Sequence, residues 1–502
     1  MTQRDVSSFR STLEYLEKTG GLSTVKGEVD PVYEIAGIEK SLENGPALLF
    51  ESIKGYPGVR AAGNIMSREQ RIASIFGSTE FKDLKFKFVE AIKSPLPPKV
   101  VENAPCQEVV IQDDIDVMAT LPIIKHSEAD AGHILGGGII LSTGSDITRE
   151  NDVSFKRMHF RGKDWASIYI LGGTHLSYIT HKAGRTEPVP ITINIGTPPS
   201  VIMLAGTSTV HTIMPKGTDE LGIAGAFQGF PVEICKAKTV DAHAIANSEW
   251  VIEGYVSTEK VWESEEAEKL QKMRLAPYFP EWSGYLGRAT NTFKFQVTAI
   301  THRKDRPIFY TPLANSYGDE NMGTPLREAC LYELAQRLAP GLVVDVSIPH
   351  AFKSFLGAIF QVKKRRAADD AFLRNIVAAA IPAATLRIAI IVDEDVNIYD
   401  AEDIMWAIAT RANFRRGIFT GAPDSIGLSA LPFADAQRTE GAWSEGGLVI
   451  DATVPFNSKS QFPRTHYPVD RVDLNKWFTP EEIAAVQAQQ SEHARFLSQI
   501  GG

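Results

Sequence analysis

The sequence has few cysteines, no unbroken hydrophobic run of membrane length and no excess of positive charge. Its three cysteines, Cys106, Cys235 and Cys330, are odd in number and widely spaced, which argues against a disulfide framework and favours a reducing compartment. A proline and an arginine interrupt the longest apolar stretch, residues 376–392, so we expect no membrane span. The formal net charge of −9 excludes an overall basic surface. We therefore expect a cytoplasmic protein with no membrane or nucleic-acid partner.

The length and the changing pattern along the chain predict several domains. At 502 residues the chain exceeds the size at which one hydrophobic core keeps growing. Mixed helix and strand patterns come first, strand-length apolar runs follow, and alternating helices and strands return towards the end. The predicted fold class is α/β with α+β character: a small N-terminal α/β domain (1–108), a central barrel or sandwich (109–323), a C-terminal α/β domain (324–478) and a terminal helix (479–502).

Local patterns predict individual elements. Residues 7–19 have helical apolar spacing and precede two glycines, which are a typical helix stop. Thr479 and Glu482 form a capping box for a helix running to about residue 497. Residues 201–204 have the length and apolar character of a strand. The run of glutamates and lysines over residues 258–273 is typical of a solvated helix face.

Two further motifs are predicted to be structural. Residues 135–138, Leu-Gly-Gly-Gly, lack the acidic residue and the strand and helix context of a dinucleotide fingerprint, so we interpret them as a place of close backbone packing. The acidic run 393–395 follows a buried strand, where a metal site is conceivable, but a structural role is the favoured interpretation. Asp400 and Asp403 indicate helix capping.

The residues with the strongest chemical interest begin in the segment 152–157. Its alternation of polar and apolar residues predicts a half-buried strand with Asp152 and Ser154 on one face and Arg157 on the other. A Gly-Gly-Thr turn later precedes His175, and Glu220 comes just before a run of small residues. Two carboxylates and one imidazole without a thiolate favour Mn²⁺ or Mg²⁺ over a zinc cage.

A separate carboxylate, Glu281, lies between a proline and a tryptophan, an environment suited to a group that carries a proton. Simpler roles remain open for each of these residues. Asp152 and Glu220 could be turn or cap carboxylates, and His175 could be a surface histidine. Arg157 could be an ordinary ion-pair partner and Glu281 a solvated loop residue, because their spacing matches no local metal signature.

A likeness to a known family favours the functional interpretation. The sequence resembles the UbiD-type reversible (de)carboxylases, and within them the protocatechuate and gallate decarboxylases, which are similar to ferulic acid decarboxylase. The likeness spans nearly the whole chain. The segments that carry it are Asn151–Arg157, Thr174–His175, Pro190–Pro199, Asp219–Ala226 and Pro280–Tyr285, with Asp30–Pro31, Leu121–Pro122, Asp130–Gly132, Val392–Asp395 and Trp406–Arg411.

The resemblance implies a cofactor site in the central domain, which would be a split β-barrel of the flavin-reductase type. The implied cofactor is prenylated FMN, and a divalent metal, Mn²⁺ or Mg²⁺, would join its phosphate to Asp152, His175 and Glu220. Ser154 would contact the cofactor or the ion. A backbone bend at Met214-Pro215 would contact the flavin and an associated K⁺ ion.

The resemblance also implies roles in catalysis and assembly. Arg157 would bind the substrate carboxylate beside the cofactor, and Glu281 would protonate the carbon after CO₂ leaves. Partners would be a small aromatic carboxylic acid, CO₂ and a second copy of the chain in a homodimer or larger homo-oligomer contacted through residues 479–502. A separate flavin prenyltransferase would supply the cofactor.

These residues lead to a predicted reaction. Loss of CO₂ from an aromatic carbon needs an electron sink that no side chain provides, so a cofactor is required. We predict reversible, non-oxidative decarboxylation of an aromatic or heteroaromatic acid. Ala276 stands where the ferulic-acid branch has a second glutamate, which favours hydroxybenzoates or heteroaromatic acids over cinnamic acids. The alternative is a flavin-binding or flavin-reducing protein without decarboxylase activity.

Overall fold

The structure is a computed structural model, and its described part divides into two compact units after Cys330. The described residues are 4–145, 149–170, 175–181, 185–207, 213, 219–353, 356–384, 386–420, 447–465 and 467–499. Within these ranges, no helix combines the length and the apolar character that a membrane crossing demands. All three cysteines are buried free thiols.

The first unit is a mixture of helices and strands. Its N-terminal elements are α1 (Phe9–Lys18), β1 (Leu22–Val29), α2 (Glu34–Ser41), β2 (Ala47–Ile53), β3 (Arg60–Gly63), α3 (Glu69–Phe76), α4 (Leu84–Lys93) and β4 (Lys99–Val100). The elements that follow are β5 (Val109–Ile111), α5 (Val117–Thr120), β6 (Ile134–Leu135), β7 (Ile139–Ser145), β8 (Arg149–Phe155), β9 (Met158–Phe160), β10 (Trp165–Ile168), α6 (His175–Thr180), β11 (Val189–Ile195), α7 (Pro199–Ala205) and α8 (Glu220–Gln228). The last are β12 (Glu233–Lys236), β13 (His243–Ile245), β14 (Trp250–Trp262), α9 (Glu265–Leu270), β15 (Pro277–Pro280), β16 (Leu286–Arg288), β17 (Asn291–His302), β18 (Ile308–Tyr310) and α10 (Tyr317–Leu338), which continues into the second unit.

The opening helix α1 was predicted from the sequence and is confirmed. Ser8 caps it by accepting a hydrogen bond from the backbone N–H of Ser11, and Phe9, Leu13 and Leu16 are buried along one face. The neighbouring strands form a four-stranded sheet in the order β1-β2-β3-β18. The apolar stripe of α1 is thus one of the surfaces that the N-terminal part of the unit buries.

A nine-stranded sheet forms the centre of the first unit. Eight strands follow the order β6-β9-β10-β17-β14-β11-β7-β8, and β5 also pairs with β17. The longest antiparallel pair, β14 with β17, shifts register between Val256 and Lys260. Within the described residues, strand β8 lies at one end of this order and pairs with β7 alone, so the other side of its backbone is available to bond with other elements.

The glycine run 135–138 packs closely against neighbouring chain segments, as predicted. A Cβ at Gly137 would lie 2.6 Å from Pro312 Cδ and 2.8 Å from the Tyr310 carbonyl oxygen. A Cβ at Gly138 would lie 2.7 Å from Ile193 Cγ2. Side chains at either position would therefore push these segments apart.

The predicted strand at residues 201–204 is wrong, because these residues belong to helix α7. Every residue of α7 is buried, and Pro199 occupies one of its first positions, where proline suits a helix. A helix buried on all sides is apolar on all sides, so a four-residue run cannot be distinguished from a buried strand by its pattern.

The second unit contains a five-stranded sheet in the order β19-β20-β21-β23-β22. Its strands β20, β21 and β23 are mutually parallel, as expected of an α/β layer. The elements are β19 (Val343–Ser347), β20 (Gly357–Val362), α11 (Asp369–Ala384), β21 (Ile388–Asp393), α12 (Ala401–Arg411), β22 (Ile418–Thr420), β23 (Leu448–Asp451), α13 (Pro480–Gln489) and α14 (Glu492–Gln499).

Ion pairs account for the acidic run 393–395, which agrees with the predicted structural role. Asp393 lies 3.3 Å from Arg411 and within 4 Å of two lysine ammonium groups, and Asp395 lies 2.6 Å from Arg411. Asp400 caps α12 as expected, whereas Asp403 is buried and pairs with Arg464 at 2.6 Å. The cluster therefore stabilises the fold of the second unit.

The capping box at Thr479 and Glu482 is confirmed, but the single helix predicted beyond it is interrupted. Helix α13 ends at Gln489 because Gln490 adopts an extended backbone with ψ of 137°. Ser491 then starts α14 by accepting a hydrogen bond from the Ala494 N–H. A serine that can cap a new helix is a signal for such a break.

Candidate active site

Strand β8 and the start of helix α8 bring two of the predicted metal ligands together. The Glu220 carboxylate accepts a hydrogen bond of 2.8 Å from the Val153 N–H, on the free edge of β8 and next to Asp152. Asp219 caps α8, and its carboxylate also accepts a hydrogen bond from the Asn151 side chain at 2.5 Å. The helix start is thereby fixed against the strand that carries the first candidate ligand.

The other candidates in this region are only partly described. His175 is the first residue of α6, but its side chain lies outside the described part, as do Met214 and Pro215 entirely. Among the described side chains, which include those of Asp152 and Glu220, no group of three His, Cys, Asp or Glu residues is placed to hold a metal ion. The predicted metal set therefore stays a prediction.

Two buried hydroxyls lie on the Asp152 face of the sheet and fit a polar ligand. Ser142 is the cross-strand neighbour of Asp152, and Ser154 is two residues further along β8, so all three side chains share one face. Within the described part of the chain, neither Ser142 Oγ nor Ser154 Oγ has a hydrogen-bond partner. Because buried hydroxyls are seldom left unsatisfied, phosphate oxygens or an ion would suit this face.

A lysine adds positive charge to the same face. Lys156 follows Ser154 in the alternation, just beyond the end of β8. Burial lowers the pKa of Lys156, while the charges of Asp152 and Glu220 act in the opposite direction. The face therefore combines two carboxylates, two hydroxyls and one amine, which together are suited to an anion bridged by a divalent cation.

Two carboxylates hold Arg157 on both sides of its guanidinium group. Its Nε and Nη2 donate to the two oxygens of Glu263 at 2.9 and 2.8 Å, and its Nη1 donates to Glu281 Oε1. Glu263 is fully buried and also accepts a hydrogen bond of 2.8 Å from the Thr290 N–H. Nη2 has a further acceptor in the carbonyl of Arg288 at 3.0 Å. The bidentate pair with Glu263 orients the guanidinium plane.

Aromatic rings and a glycine complete the surroundings of this arginine. The Arg157 Cζ atom lies 4.5 Å from the ring centroid of Tyr169 and 4.6 Å from that of Tyr278, both within cation–π range. A Cβ at Gly287 would lie 2.7 Å from Glu281 Cγ and 3.2 Å from Arg157 Nη1. Glycine at this position therefore permits Glu281 and Arg157 to meet.

The charges in this cluster shift one another's proton affinities. Burial lowers the pKa of Arg157, but the facing charges of Glu263 and Glu281 outweigh it and raise that pKa above its usual value. Burial raises the pKa of Glu263, and Arg157 offsets only part of this effect. Burial likewise raises the pKa of Tyr278 well above its usual range. Arg157 is thus a permanent cation in the cluster.

Arg157 and Glu281, both candidates from the family resemblance, contact each other in the structure, whereas Glu263 was not among the predicted residues. Ala276, at the position of the second glutamate of the ferulic-acid branch, is buried and has no carboxylate. Glu263, from another segment, supplies a second carboxylate to Arg157. The expectation of a solvated helix over 258–273 is wrong for its first half, because β14 extends to Trp262. Ser264 caps α9 by accepting from the Ala267 N–H, a signal that could have placed Glu263 outside the helix.

Three family models match successive parts of the chain. They are the N-terminal, Rift-related and C-terminal domains of 3-octaprenyl-4-hydroxybenzoate carboxy-lyase, named UbiD, over residues 13–88, 99–315 and 320–452. The chain belongs to the UbiD family. This confirms the resemblance stated from the sequence motifs.

Relatives of this UbiD enzyme include named decarboxylases. It is 31% identical over 463 residues to the gallate decarboxylase of Lactiplantibacillus plantarum, covering 88% of this chain and 92% of that protein. It is 27% identical over 486 residues to the phenolic acid decarboxylase of Bacillus subtilis, covering 92% and 95%. The match therefore extends over almost the whole length of both proteins.

Solved structures of UbiD-class enzymes resemble this fold. An evolved dimeric form of HmfF from Pelotomaculum thermopropionicum, in complex with prFMN, has a TM-score of 0.79 at 28% identity, covering 94% of this chain and 100% of that one. The apo 3,4-dihydroxybenzoic acid decarboxylase AroY of Klebsiella pneumoniae has a TM-score of 0.80 at 28% identity and the same coverage. The fold is thus the mixed α/β fold of UbiD-class enzymes.

Proposed function

We propose that this UbiD-family enzyme catalyses the reversible, non-oxidative decarboxylation of an aromatic or heteroaromatic carboxylic acid. The observation that carries the proposal is the buried Arg157 held between Glu263 and Glu281. A cation of fixed orientation beside a carboxylate that can carry a proton is the arrangement that an acid-binding, carbon-protonating site requires. A flavin-reducing protein, the alternative class, has no need of this pair.

Arg157 would bind the substrate carboxylate. Its guanidinium has five N–H groups, and four of them are accounted for by Glu263, Glu281 and the Arg288 carbonyl. Within the described part of the chain, one N–H on Nη1 is left over, next to Glu281. A substrate carboxylate bonded there would lie beside the group proposed to deliver the proton.

Glu281 would protonate the substrate carbon that loses CO₂. Its backbone N–H donates to the Tyr285 carbonyl at 2.9 Å, and Gly284 donates to the Glu281 carbonyl at 3.0 Å, so a tight turn holds this residue. Its side chain reaches Arg157, and a proton on the carboxyl would weaken that ion pair. Proton delivery and release of Arg157 are therefore coupled through one contact.

The proposed cofactor is prenylated FMN, with Mn²⁺ or Mg²⁺ held by Asp152, His175 and Glu220. When bound, the cofactor supplies the electron sink that loss of CO₂ from an aromatic carbon requires. The Asp152 face supports this assignment with two hydroxyls that have no partner among the described residues, of which Ser154 is a proposed cofactor contact. Met214, Pro215 and K⁺ are further proposed contacts, and a separate flavin prenyltransferase would make the cofactor.

The proposed substrates are hydroxylated benzoates or heteroaromatic acids. Gallate and 3,4-dihydroxybenzoic acid give their names to related decarboxylases, which supports a hydroxybenzoate. The chain is proposed to work as a cytoplasmic homodimer or larger homo-oligomer. Exposed apolar residues in and just before residues 479–502 support a contact there; they include Trp477, Phe478, Val486 and Leu497.

A Glu281→Gln variant tests the proposed reaction. The enzyme is co-expressed with a flavin prenyltransferase, and CO₂ release is measured on a panel of aromatic acids together with exchange of the ring hydrogen in deuterated water. We expect the variant to keep its flavin absorbance and to lose both reactions, while Glu265→Gln on the exposed face of α9 keeps both. Wild-type turnover by Glu281→Gln would remove this residue from the mechanism.

Cofactor retention tests the proposed metal site independently. We expect Asp152→Ala and His175→Ala to purify without flavin absorbance and with less than one equivalent of manganese. Asp113→Ala, at an exposed position in the same unit, serves as the control and is expected to retain both. Full flavin and metal occupancy in the two site variants would show that the metal assignment is wrong.

A further inference from the structure

Lys260 lies on the face of an aromatic ring at the register shift of β14. It is the cross-strand neighbour of Phe293 on β17, and its Nζ lies 2.9 Å from the centroid of the Phe293 ring. The shift between Val256 and Lys260 displaces this part of β14 from the regular ladder. The side chain is exposed enough for small solutes in water to reach the amine.

Two further nitrogen-containing side chains, those of Arg185 and His181, lie next to the Phe293 ring. Arg185 places its Cζ 5.6 Å from the Phe293 centroid, and the His181 ring contacts Phe293 edge-on at 5.0 Å. Burial, followed by the charge of Lys260, lowers the pKa of His181, which favours the neutral form of its ring. Arg185 is therefore the permanent cation beside Lys260.

Within the described part of the chain, no carboxylate forms an ion pair with Lys260, Arg185 or His181. Among the described residues, Arg185 donates only to backbone carbonyl oxygens, those of Thr180, Glu187, Val256 and Ser257. Glu259, the acidic residue next to Lys260 in sequence, pairs instead with Lys294 at 3.1 Å. Lys260 and Arg185 therefore face each other as like charges whenever the lysine is protonated.

This repulsion favours the neutral amine. Burial and then the charge of Arg185 lower the pKa of Lys260 to about 8, while the Phe293 ring face favours the ammonium ion and acts in the opposite direction. An ordinary lysine has a pKa of about 10.4, so at pH 7.5 the neutral fraction of Lys260 is on the order of a hundredfold larger. The amine thus resembles a chain N-terminus in its proton affinity.

We propose that Lys260 is a site of reversible carbamylation by CO₂. The lone pair of the neutral Nζ attacks the carbon of CO₂, one C–O π pair moves onto oxygen, and the nitrogen releases one proton to water. The product is a carbamate with one negative charge, and no oxidant or reductant takes part. Repulsion between Lys260 and Arg185 is replaced by attraction between the carbamate and Arg185, which stabilises the adduct.

CO₂ is available at this residue from two sources. It is the product of the proposed decarboxylation, and it is also present in bicarbonate-buffered solution. The carbamate therefore does not depend on the proposed function, and experiments with dissolved CO₂ alone address it.

Trapping with a trialkyloxonium reagent tests the proposal. The full-length holoenzyme is equilibrated with ¹³C-labelled CO₂ at pH 7.5, alkylated to convert carbamates into stable esters, digested and analysed by mass spectrometry. We expect labelled adduct at Lys260 to exceed that at Lys294, whose ammonium group pairs with Glu259, by at least about tenfold. Lys260→Arg should remove this adduct and leave that at other lysines unchanged.

The pH dependence provides a second measurement. At constant dissolved CO₂, adduct at Lys260 should increase between pH 6.5 and 8, because the neutral amine forms over that range. The proposal is overturned if labelled adduct at Lys260 does not exceed that at Lys294, or if the peptide signal is unchanged in Lys260→Arg. Adduct of equal size at pH 6.5 and 8 would also overturn it.

Discussion

Replacing Glu263 with glutamine removes one charge from the buried pair that orients Arg157. The amide keeps the shape of the side chain, but its NH₂ group cannot accept the hydrogen bond that one carboxylate oxygen now receives. The expected cost lies between about 1.5–3 kcal/mol for one hydrogen bond to a charged group and about 3–5 kcal/mol for breaking a buried ion pair. We expect about 2–4 kcal/mol of lost unfolding free energy on these grounds.

The same substitution is expected to reduce turnover. Arg157 would lose the bidentate partner that fixes its plane, and a displacement near 1 Å of a positioning group costs roughly 10²-fold in rate. Because Glu281 is retained, the proposed proton donor is still present, so a drop in kcat would report the orientation of Arg157 and not loss of the acid. Cofactor absorbance is recorded to exclude loss of flavin.

Glu268→Gln is the matched control, since Glu268 also pairs with an arginine in a neighbouring segment. It contacts Arg161 at 2.6 Å, but its side chain is 52% exposed, so its loss should cost only about 0–1 kcal/mol. Both variants are measured by urea unfolding and by CO₂ release under saturating substrate. The reasoning is refuted if Glu263→Gln is no less stable than Glu268→Gln and turns over at the wild-type rate.

Three further changes are predicted from the same structure. Burial raises the pKa of Glu39 well above its usual value, so folding favours its protonated form, and the free energy of unfolding falls as pH rises above about 4.3, by up to ~1.4 kcal/mol per pH unit. Glu39→Gln should reduce this fall, measured by urea unfolding at pH 5 and pH 7. An unchanged difference between the two pH values would contradict the prediction. Gly287→Ala should separate Glu281 from Arg157 and lower kcat by at least about tenfold. Gly27→Ala, where a Cβ meets nothing within 4 Å, is the control and should leave kcat unchanged. Equal kcat values for the two variants would argue against the close contact at Gly287. Tyr169→Leu should remove the cation–π contact with the Arg157 guanidinium, worth about 0.5–2 kcal/mol, and raise KM for the aromatic acid substrate. An unchanged KM would exclude a role of Tyr169 in positioning Arg157.

Much of the local structure could be predicted because its causes are local. The capping residues Ser8 and Thr479 begin helices where the sequence indicated them. The alternation of β8 correctly placed Asp152 and Ser154 on one face. Such features depend on residues a few positions apart, so a single sequence contains the information.

The parts that could not be predicted depend on contacts between distant segments. Glu263 is 106 residues from Arg157 in sequence, and its role follows from the pairing of β14 with β17 and not from its neighbours in the chain. Helix α7 is buried on every side, which removes the periodicity that would identify it. The proposed roles of Arg157 and Glu281 come from a resemblance to a family, because spacing alone left the choice open between an ion pair and a catalytic site.

The hydrogen bond from Val153 to Glu220 has a consequence for solubility as well as for the site. A terminal strand such as β8 presents unpaired N–H groups that can template pairing with a second chain. Here a carboxylate takes one of these groups, and a negative charge then lies along the rim of the sheet. In a partly folded molecule, before α8 packs against β8, this edge would therefore be open to intermolecular strand pairing. Packing of α8 in the native fold removes that possibility.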